Sequence, residues 1–213
     1  MVTGIVSAMG HIREARQQGD LRAVISCPYD PAQIAIGASI ACSGVCLTVV
    51  ERGVLRQAQD DRGAEAWFAV DVSDESISCT APRWHAGARL NLEQALRLGD
   101  ELGGHIVTGH VAGVGRIVST RSEGDSLRVE IAAPAALAPY LAPKGSITVD
   151  GVSLTVNAVT DDPDGTCRFT LNLIPHTGEV TTLGALVEGD TVNLEIDVLA
   201  RYLMRMQSLR GNA

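Results

Sequence analysis

Ser39-Ile40-Ala41-Cys42-Ser43-Gly44-Val45-Cys46-Leu47-Thr48-Val49 has a counterpart in the second half of the chain, Ser146-Ile147-Thr148-Val149-Asp150-Gly151-Val152-Ser153-Leu154-Thr155-Val156. The blocks on either side recur in the same order. Val2-Thr3-Gly4 returns as Val107-Thr108-Gly109, with Gly10 and Gly115 at the same distance beyond. Gly87 to Glu93 closes on Asn91-Leu92-Glu93, and Gly189 to Glu195 closes on Asn193-Leu194-Glu195. Such ordered recurrence at a nearly constant offset marks a tandem duplication.

Both halves read as β structure. Ser39–Val50, Trp67–Val72, Leu127–Ile131, Ser146–Val159, Arg168–Leu173 and Thr191–Ile196 are short runs rich in Val, Ile and Thr. Turn residues such as Asp162-Pro163-Asp164-Gly165 separate them. Short strands without alternating long helices predict a small closed antiparallel barrel in each half. Short helical turns are predicted at Asp30–Ala35 and Ala135–Leu141. At the C-terminus Leu199, Tyr202, Leu203, Met206 and Leu209 fall at helical spacing. A helix this short must pack on something, either its own barrel or another copy of the chain. The predicted division is 1–104 and 105–197 for the two barrels and 198–213 for the helix.

In an extended strand alternate side chains face opposite ways, so Val45, Leu47 and Val49 share the apolar interior face. Cys46 and Thr48 point outward. In the second copy Val152, Leu154 and Val156 point in, while Ser153 and Thr155 point out. A lone strand of this kind is a solvated face. Two matched polar pairs, each beside a glycine that admits close approach, predict two related pockets.

With 213 residues the chain can bury a substantial core, and its formal net charge of −8 carries no basic run. That charge disfavours nucleic acid and anionic membrane surfaces as partners. No stretch approaches the roughly 20 apolar residues of a membrane span, and no secretory signal opens the chain, so cytoplasmic residence is expected. The five cysteines, Cys27, Cys42, Cys46, Cys79 and Cys167, are odd in number and irregular in spacing. Neither a disulfide framework nor a zinc knuckle follows, and Cys27, Cys79 and Cys167 are expected to be buried, inert thiols.

Gly103-Gly104-His105-Ile106-Val107-Thr108-Gly109-His110 lies between the halves. His105 and His110 would face opposite ways on a continuous strand, with no further ligand at chelating spacing, so no metal is expected. His110 could exchange a proton near neutral pH, while His105 reads equally as structural. Nothing in the sequence supplies the cation or helix terminus that would activate Cys46. No nucleophile elbow, phosphate-binding loop or dinucleotide fold is present.

Taken together, Val2-Thr3-Gly4-Ile5-Val6, Ser43-Gly44-Val45-Cys46-Leu47-Thr48-Val49, Gly103-Gly104-His105 with Thr108-Gly109-His110, Lys144-Gly145-Ser146, Asp150 to Val156, Ile174-Pro175-His176-Thr177 and Asn193-Leu194-Glu195-Ile196-Asp197 resemble the riboflavin synthase family. The resemblance runs through essentially the whole chain. It implies two tandem six-stranded Greek-key β-barrels and a C-terminal helix that joins three chains. Active sites would lie between the N-terminal barrel of one subunit and the C-terminal barrel of another. The implied reaction moves a four-carbon unit between two molecules of 6,7-dimethyl-8-ribityllumazine, giving riboflavin without a redox cofactor or metal. Association with lumazine synthase is a further expected partnership.

Carried over by motif, the first pocket uses Gly4, Ile5, Val6, Cys46, Leu47 and Thr48, with Val72, Ser73, Asp74, Glu75, Ser76 and Ile77 on its rim. The second uses Gly109, His110, Val111, Lys144, Ser153, Leu154 and Thr155, with Leu173, Ile174, Pro175, His176, Thr177 and Gly178. Ser76, Thr177 and Lys144 suit the ribityl chain. His110, or a water it positions, is the candidate to take a proton from the donor's C7 methyl. Cys46, Ser39 or a water would act at C7 of the acceptor, with Ser153 and Asp197 as further polar candidates. Val2 stands where the family has Phe, Ala112 where Asp is common, Asp74 in place of Pro, and Gly178 in place of a larger apolar residue. Two rivals remain: a lumazine- or flavin-binding carrier of the same fold, and a flavin-dependent reductase, which would need a nicotinamide domain.

Overall fold

The structure, a computed structural model, describes residues 1–55 and 65–210. In the first half β1 (Ala8–Gln18), β2 (Asp20–Cys27), β3 (Ser39–Cys42), β4 (Val45–Leu55), β5 (Glu65–Val72) and β6 (Arg89–Gln94) close into an antiparallel barrel. Its strand order is β1-β2-β5-β4-β3-β6. Ile12, Ile25, Ile40, Leu47, Val49, Phe68, Val70, Leu90 and Leu92 fill the interior. The inward residues expected from alternation are buried, whereas Thr48 is exposed and Cys46 lies between.

The second half repeats this plan with one difference. β7 (Gly113–Glu123), β8 (Ser126–Ala133), β9 (Ser146–Val149), β10 (Val152–Thr155), β11 (Ala158–Asp161), β12 (Cys167–Leu173) and β13 (Thr191–Ile196) form a sheet ordered β10-β9-β13-β7-β8-β12-β11. A six-stranded closed barrel was expected here, but the sheet has seven strands. The counterpart of β4 is split in two. β4 stays continuous by taking a bulge between Val49 and Glu51. At the equivalent place Val156 N–H bonds Gly145 O, as Val49 N–H bonds Ala38 O in the first half, but β10 ends at Thr155 and ladder pairing with β12 begins only at Ala158, so the strand is interrupted at Val156-Asn157. The sheet therefore curls until its two edge strands, consecutive in sequence, meet through the chain itself. Ile117, Ile131, Ile147, Phe169, Leu171 and Leu194 form its core.

Short helices complete the layout. Those near Pro31–Gln33 and Ala135–Tyr140 match the expected turns. α1 (Asp74–Ser78) and its counterpart α2 (Pro175–Val180) sit in segments read from sequence only as pocket rims. α3 (Val198–Arg210) carries the predicted stripe. It touches the turn at Ala135–Tyr140, yet Leu199, Tyr202, Leu203, Met206 and Leu209 remain 53–62% exposed, or 66% for Tyr202. The helix does not bury this face on its own barrel. No helix among the described residues is long and apolar enough to cross a membrane.

The two halves meet across a pseudo-twofold seam. The hairpin turns Ser43-Gly44 and Asp150-Gly151 all have positive φ, between 45° and 83°, as tight turns between strands demand. Their glycines touch: a Cβ on Gly151 would sit 2.7 Å from Gly44 N, and one on Gly44 3.0 Å from Gly151 N. Asparagines cross the seam in both directions. Asn91 Nδ2 donates to Asp150 O at 2.8 Å and Asn193 Nδ2 to Ser43 O at 2.9 Å. Their Oδ1 atoms accept from Thr182 N and Ala81 N.

One feature breaks the symmetry. Asp150, which replaces Ser43, is fully buried, and its Oδ2 lies 2.7 Å from Arg83 Nη2. Burial pushes its carboxyl up to about 6, above the usual carboxylate range, and Arg83 pulls the other way.

Gly151→Ala should cost about 2–4 kcal/mol in urea unfolding, combining left-handed strain with overpacking. Gly87→Ala, where φ is also positive but no atom lies within 4 Å, should cost only the strain. Arg83→Ala should cost about 3 kcal/mol near pH 8 by leaving a buried carboxylate unpaired. Because Asp150 has a raised pKa in the folded state, its charged form weakens the fold above that pKa, and protonation relieves it. The deficit should therefore shrink as the pH falls to about 5, in parallel unfolding curves.

Candidate active site

Two buried carboxylates organise the site. Glu93, on β6, accepts from Thr3 N at 2.7 Å, Thr3 Oγ1 at 2.8 Å and Gly4 N at 2.9 Å. Glu195, on β13, accepts from Thr108 N at 2.7 Å, Thr108 Oγ1 at 2.6 Å, Gly109 N at 2.9 Å and His110 N at 3.1 Å. Burial raises the Glu93 pKa, and the hydrogen bonds from Thr3 and Gly4 offset part of that rise. Charge-assisted bonds to backbone N–H groups are among the stronger polar contacts in proteins, so each Thr-Gly turn is held in one place.

From that place each turn reaches the opposite barrel. Gly4 O accepts from Ser153 N, and Gly109 O from Cys46 N, both at 2.8 Å. No side chain would fit at either glycine. A Cβ on Gly4 would lie 2.6 Å from the Cβ of Ser153, and one on Gly109 2.5 Å from that of Cys46. Val2 and Val107 pair backbone to backbone on the seam, Val6 packs on the second core and Val111 on the first.

Within one chain the structure thus brings Gly4 to Ser153 and Gly109 to Cys46. Motif order alone groups Gly4 with Cys46 and Gly109 with Ser153, each within its own half, and the backbone bonds cross that grouping. Val2 is 4% exposed, with Ala41 and Val107 as neighbours, so it belongs to the seam.

The remaining candidates spread around these two junctions. Ser39 pairs across strands with Thr48, and Thr155 with Ser146, which puts each pair on one face. Leu47 is buried and Leu154 half-buried against the second core, as inward positions should be. Ile5 and His110 are exposed. Val72 is buried at the end of β5. Ser73 caps α1 through Ser76 N, its hydroxyl 3.0 Å from that of Ser76, and Ile77 packs on the first core. Asp74 and Glu75 form the exposed first turn of α1. Leu173 is buried, whereas Ile174, Pro175 and His176 are exposed and Thr177 and Gly178 half-buried around α2. Ala112 packs on the second core. Asp197 caps α3, its Oδ1 accepting from Leu199 N at 2.8 Å. Cys27, Cys42 and Cys167 are buried. Cys79, expected among the buried thiols, is exposed because it ends α1.

Lys144 is exposed with φ of 67°, at the position Gly37 holds in the first half. A left-handed lysine costs about 1–2 kcal/mol where a glycine would cost little.

The whole arrangement is that of a known domain used twice. A family model described as the lumazine binding domain matches residues 3–95 and again 108–197. A riboflavin synthase of Brucella abortus (strain 2308) is 46% identical, covering 97% of this chain and 98% of its own. One from Photobacterium phosphoreum is 41% identical over 97% of this chain and 88% of its own. The chain belongs to the riboflavin synthase family. Among solved structures, LumP complexed with riboflavin has a TM-score of 0.75 at 28% identity, covering 92% of this chain and 99% of LumP. LumP complexed with 6,7-dimethyl-8-(1'-D-ribityl) lumazine superposes with a TM-score of 0.71 at 26% identity, with the same coverage.

Glu93 and Glu195 were missed as site residues, although the repeated Asn-Leu-Glu block and the repeated Thr-Gly step were both visible. What sequence lacked was the contact between those blocks. For Lys144, Lys144→Gly should leave unfolding stability equal or raise it by about 1 kcal/mol. The same variant should bind the ribityl lumazine more weakly by fluorescence titration, which would separate a ligand role from a structural one.

Proposed function

We propose that this chain is a riboflavin synthase that dismutates two molecules of 6,7-dimethyl-8-ribityllumazine to riboflavin and 5-amino-6-ribitylaminouracil. The observation that carries this reading is the retention of polar equipment on both barrels: Ser39, Cys46 and Thr48 on one, Ser146, Ser153 and Thr155 on the other. One donor and one acceptor of identical structure call for two like pockets. The atoms of two lumazines are conserved in the two products, so the reaction balances without an external oxidant. Holding both rings in register supplies much of the acceleration, since orientation can lower a barrier by about 7–11 kcal/mol.

In this reading the pocket faces combine the outward strand residues with the turn that crosses from the other half. Ser39, Cys46 and Thr48 act with Gly109, His110 and Val111, while Lys144, Ser153 and Thr155 act with Gly4, Ile5 and Val6. The exposed first turns of α1 and α2 flank them. His110, held by its backbone and exposed, takes the proton from the donor's C7 methyl directly or through water. Cys46, Ser39 or a water engages C7 of the acceptor, and Asp197 remains a polar neighbour. The unburied stripe on α3 supports self-association, with a trimer as the proposed assembly and the active site completed between subunits. Cytoplasmic residence is part of this proposal.

The likeness to LumP favours one rival, a carrier that holds a single chromophore. Incubation with the lumazine separates the two. Riboflavin fluorescence should grow without added cofactor, one riboflavin appearing per two lumazines lost, whereas a carrier would give a stable complex. His110→Ala and Cys46→Ala, checked as folded trimers, should each lower turnover by about 100-fold. Near-normal rates in both would refute the assigned roles.

A further inference from the structure

The duplication equips both barrels with an outward polar pair, but what stands behind those pairs is unequal. Ser153 on β10 lies opposite Thr148 on β9, and His105 bridges them. Its Nδ1 is 2.7 Å from Ser153 Oγ and its Nε2 is 3.2 Å from Thr148 Oγ1. The ring is half-buried, and its backbone N–H donates to Thr3 O at 3.1 Å. Gly104 permits this approach, because a Cβ there would meet Thr3 O at 2.1 Å and Ser153 Oγ at 3.0 Å.

Burial favours the neutral ring, against the opposing pull of Asp197 and Glu195. A neutral imidazole has one donor nitrogen and one acceptor. One hydroxyl must therefore donate to the ring while the other receives from it. With Nδ1 accepting, the Ser153 proton points at the ring; with Nδ1 donating, the ring holds the oxygen and turns its proton away.

The first barrel has no such device. Cys46, the counterpart of Ser153, lies opposite Ala41, the counterpart of Thr148, which has no hydroxyl. Among the described residues no histidine is hydrogen-bonded to the Cys46 thiol, although Gly109 O holds its backbone N–H.

We propose that His105 is a positioning residue: it orients the Ser153 hydroxyl and thereby makes the two lumazine pockets chemically unequal, as a reaction with one donor and one acceptor requires. The inference rests on the riboflavin synthase reading. It gives a function to a histidine that is neither exposed nor needed to close either core.

The test is steady-state turnover of the ribityl lumazine by wild type, His105→Ala, Ser153→Ala, the double variant and His105→Asn, whose amide can replace the Nδ1 contact. His105→Ala should lower kcat by about 10- to 100-fold, the scale set by misplacing a reacting group, with little change in KM. The double variant should be no slower than Ser153→Ala by more than about twofold, since residues acting as a unit are not additive. His105→Asn should recover most of the loss. An unchanged kcat in His105→Ala, or losses that multiply in the double variant, would overturn the proposal. If His105→Ala does not fold, nitrogen-15 shifts of the His105 ring decide the matter: they must change at Nδ1 in Ser153→Ala, and unchanged shifts overturn it. A wild-type chain that leaves the lumazine unconverted defeats the functional reading itself. A wild-type chain that turns over beside an unaffected His105→Ala defeats only the role of His105.

Discussion

Two carboxylates, Glu93 and Glu195, are placed at 7% and 3% exposure, where an unpaired charge would be intolerable, and each is answered by backbone and hydroxyl donors of a Thr-Gly turn. That demand fixes the turns. The fixed turns present Gly4 O and Gly109 O to the opposite barrel, where they bind the backbone of Ser153 and Cys46. The proposed chemistry is thus anchored by main-chain geometry, and the reactive side chains inherit their positions from it.

Much of this was legible in the chain because duplication converts one sequence into its own comparison. The inward Val and Leu faces and the C-terminal stripe follow from periodicity alone, whereas Ser39–Val50 and Ser146–Val159, each a single run by composition, turn back on themselves at Gly44 and Gly151. Seams are different. The assignment of Gly4 to Cys46 rested on each motif staying within its own half, and strand patterns carry no information about which carbonyl crosses to which neighbour. The split of β10 from β11 was likewise invisible, since Val156-Asn157 reads as ordinary strand until the partners on either side are known. Cys79 was misplaced for a related reason: a five-residue helix leaves almost no periodic signal.

Symmetry and its breaking divide the labour in this fold. Gly44 with Gly151, Asn91 with Asn193, and Glu93 with Glu195 are matched pairs, and they hold the two halves and their Thr-Gly turns in register. Asp150 with Arg83, Lys144 in the place of Gly37, and His105 behind Ser153 are unmatched, and all fall at or near the seam and the second strand pair. A chain evolving from two equal copies can specialise one pocket only through such unmatched residues. The matched ones are committed to holding the halves together.

The crossed asparagine bonds also bear on how the chain acquires its shape. Asn193 and Ser43 are 150 positions apart, whereas the fully buried core residues of each barrel come from its own half, with only the partly buried Val6 and Val111 crossing over. During synthesis the first barrel can complete its hydrophobic interior while the partners of its Ser43 carbonyl and Gly44 turn are still being translated. Mating of the preformed halves is then the late step. The loop-closure entropy of so long a separation is met by two bodies rather than by a disordered chain.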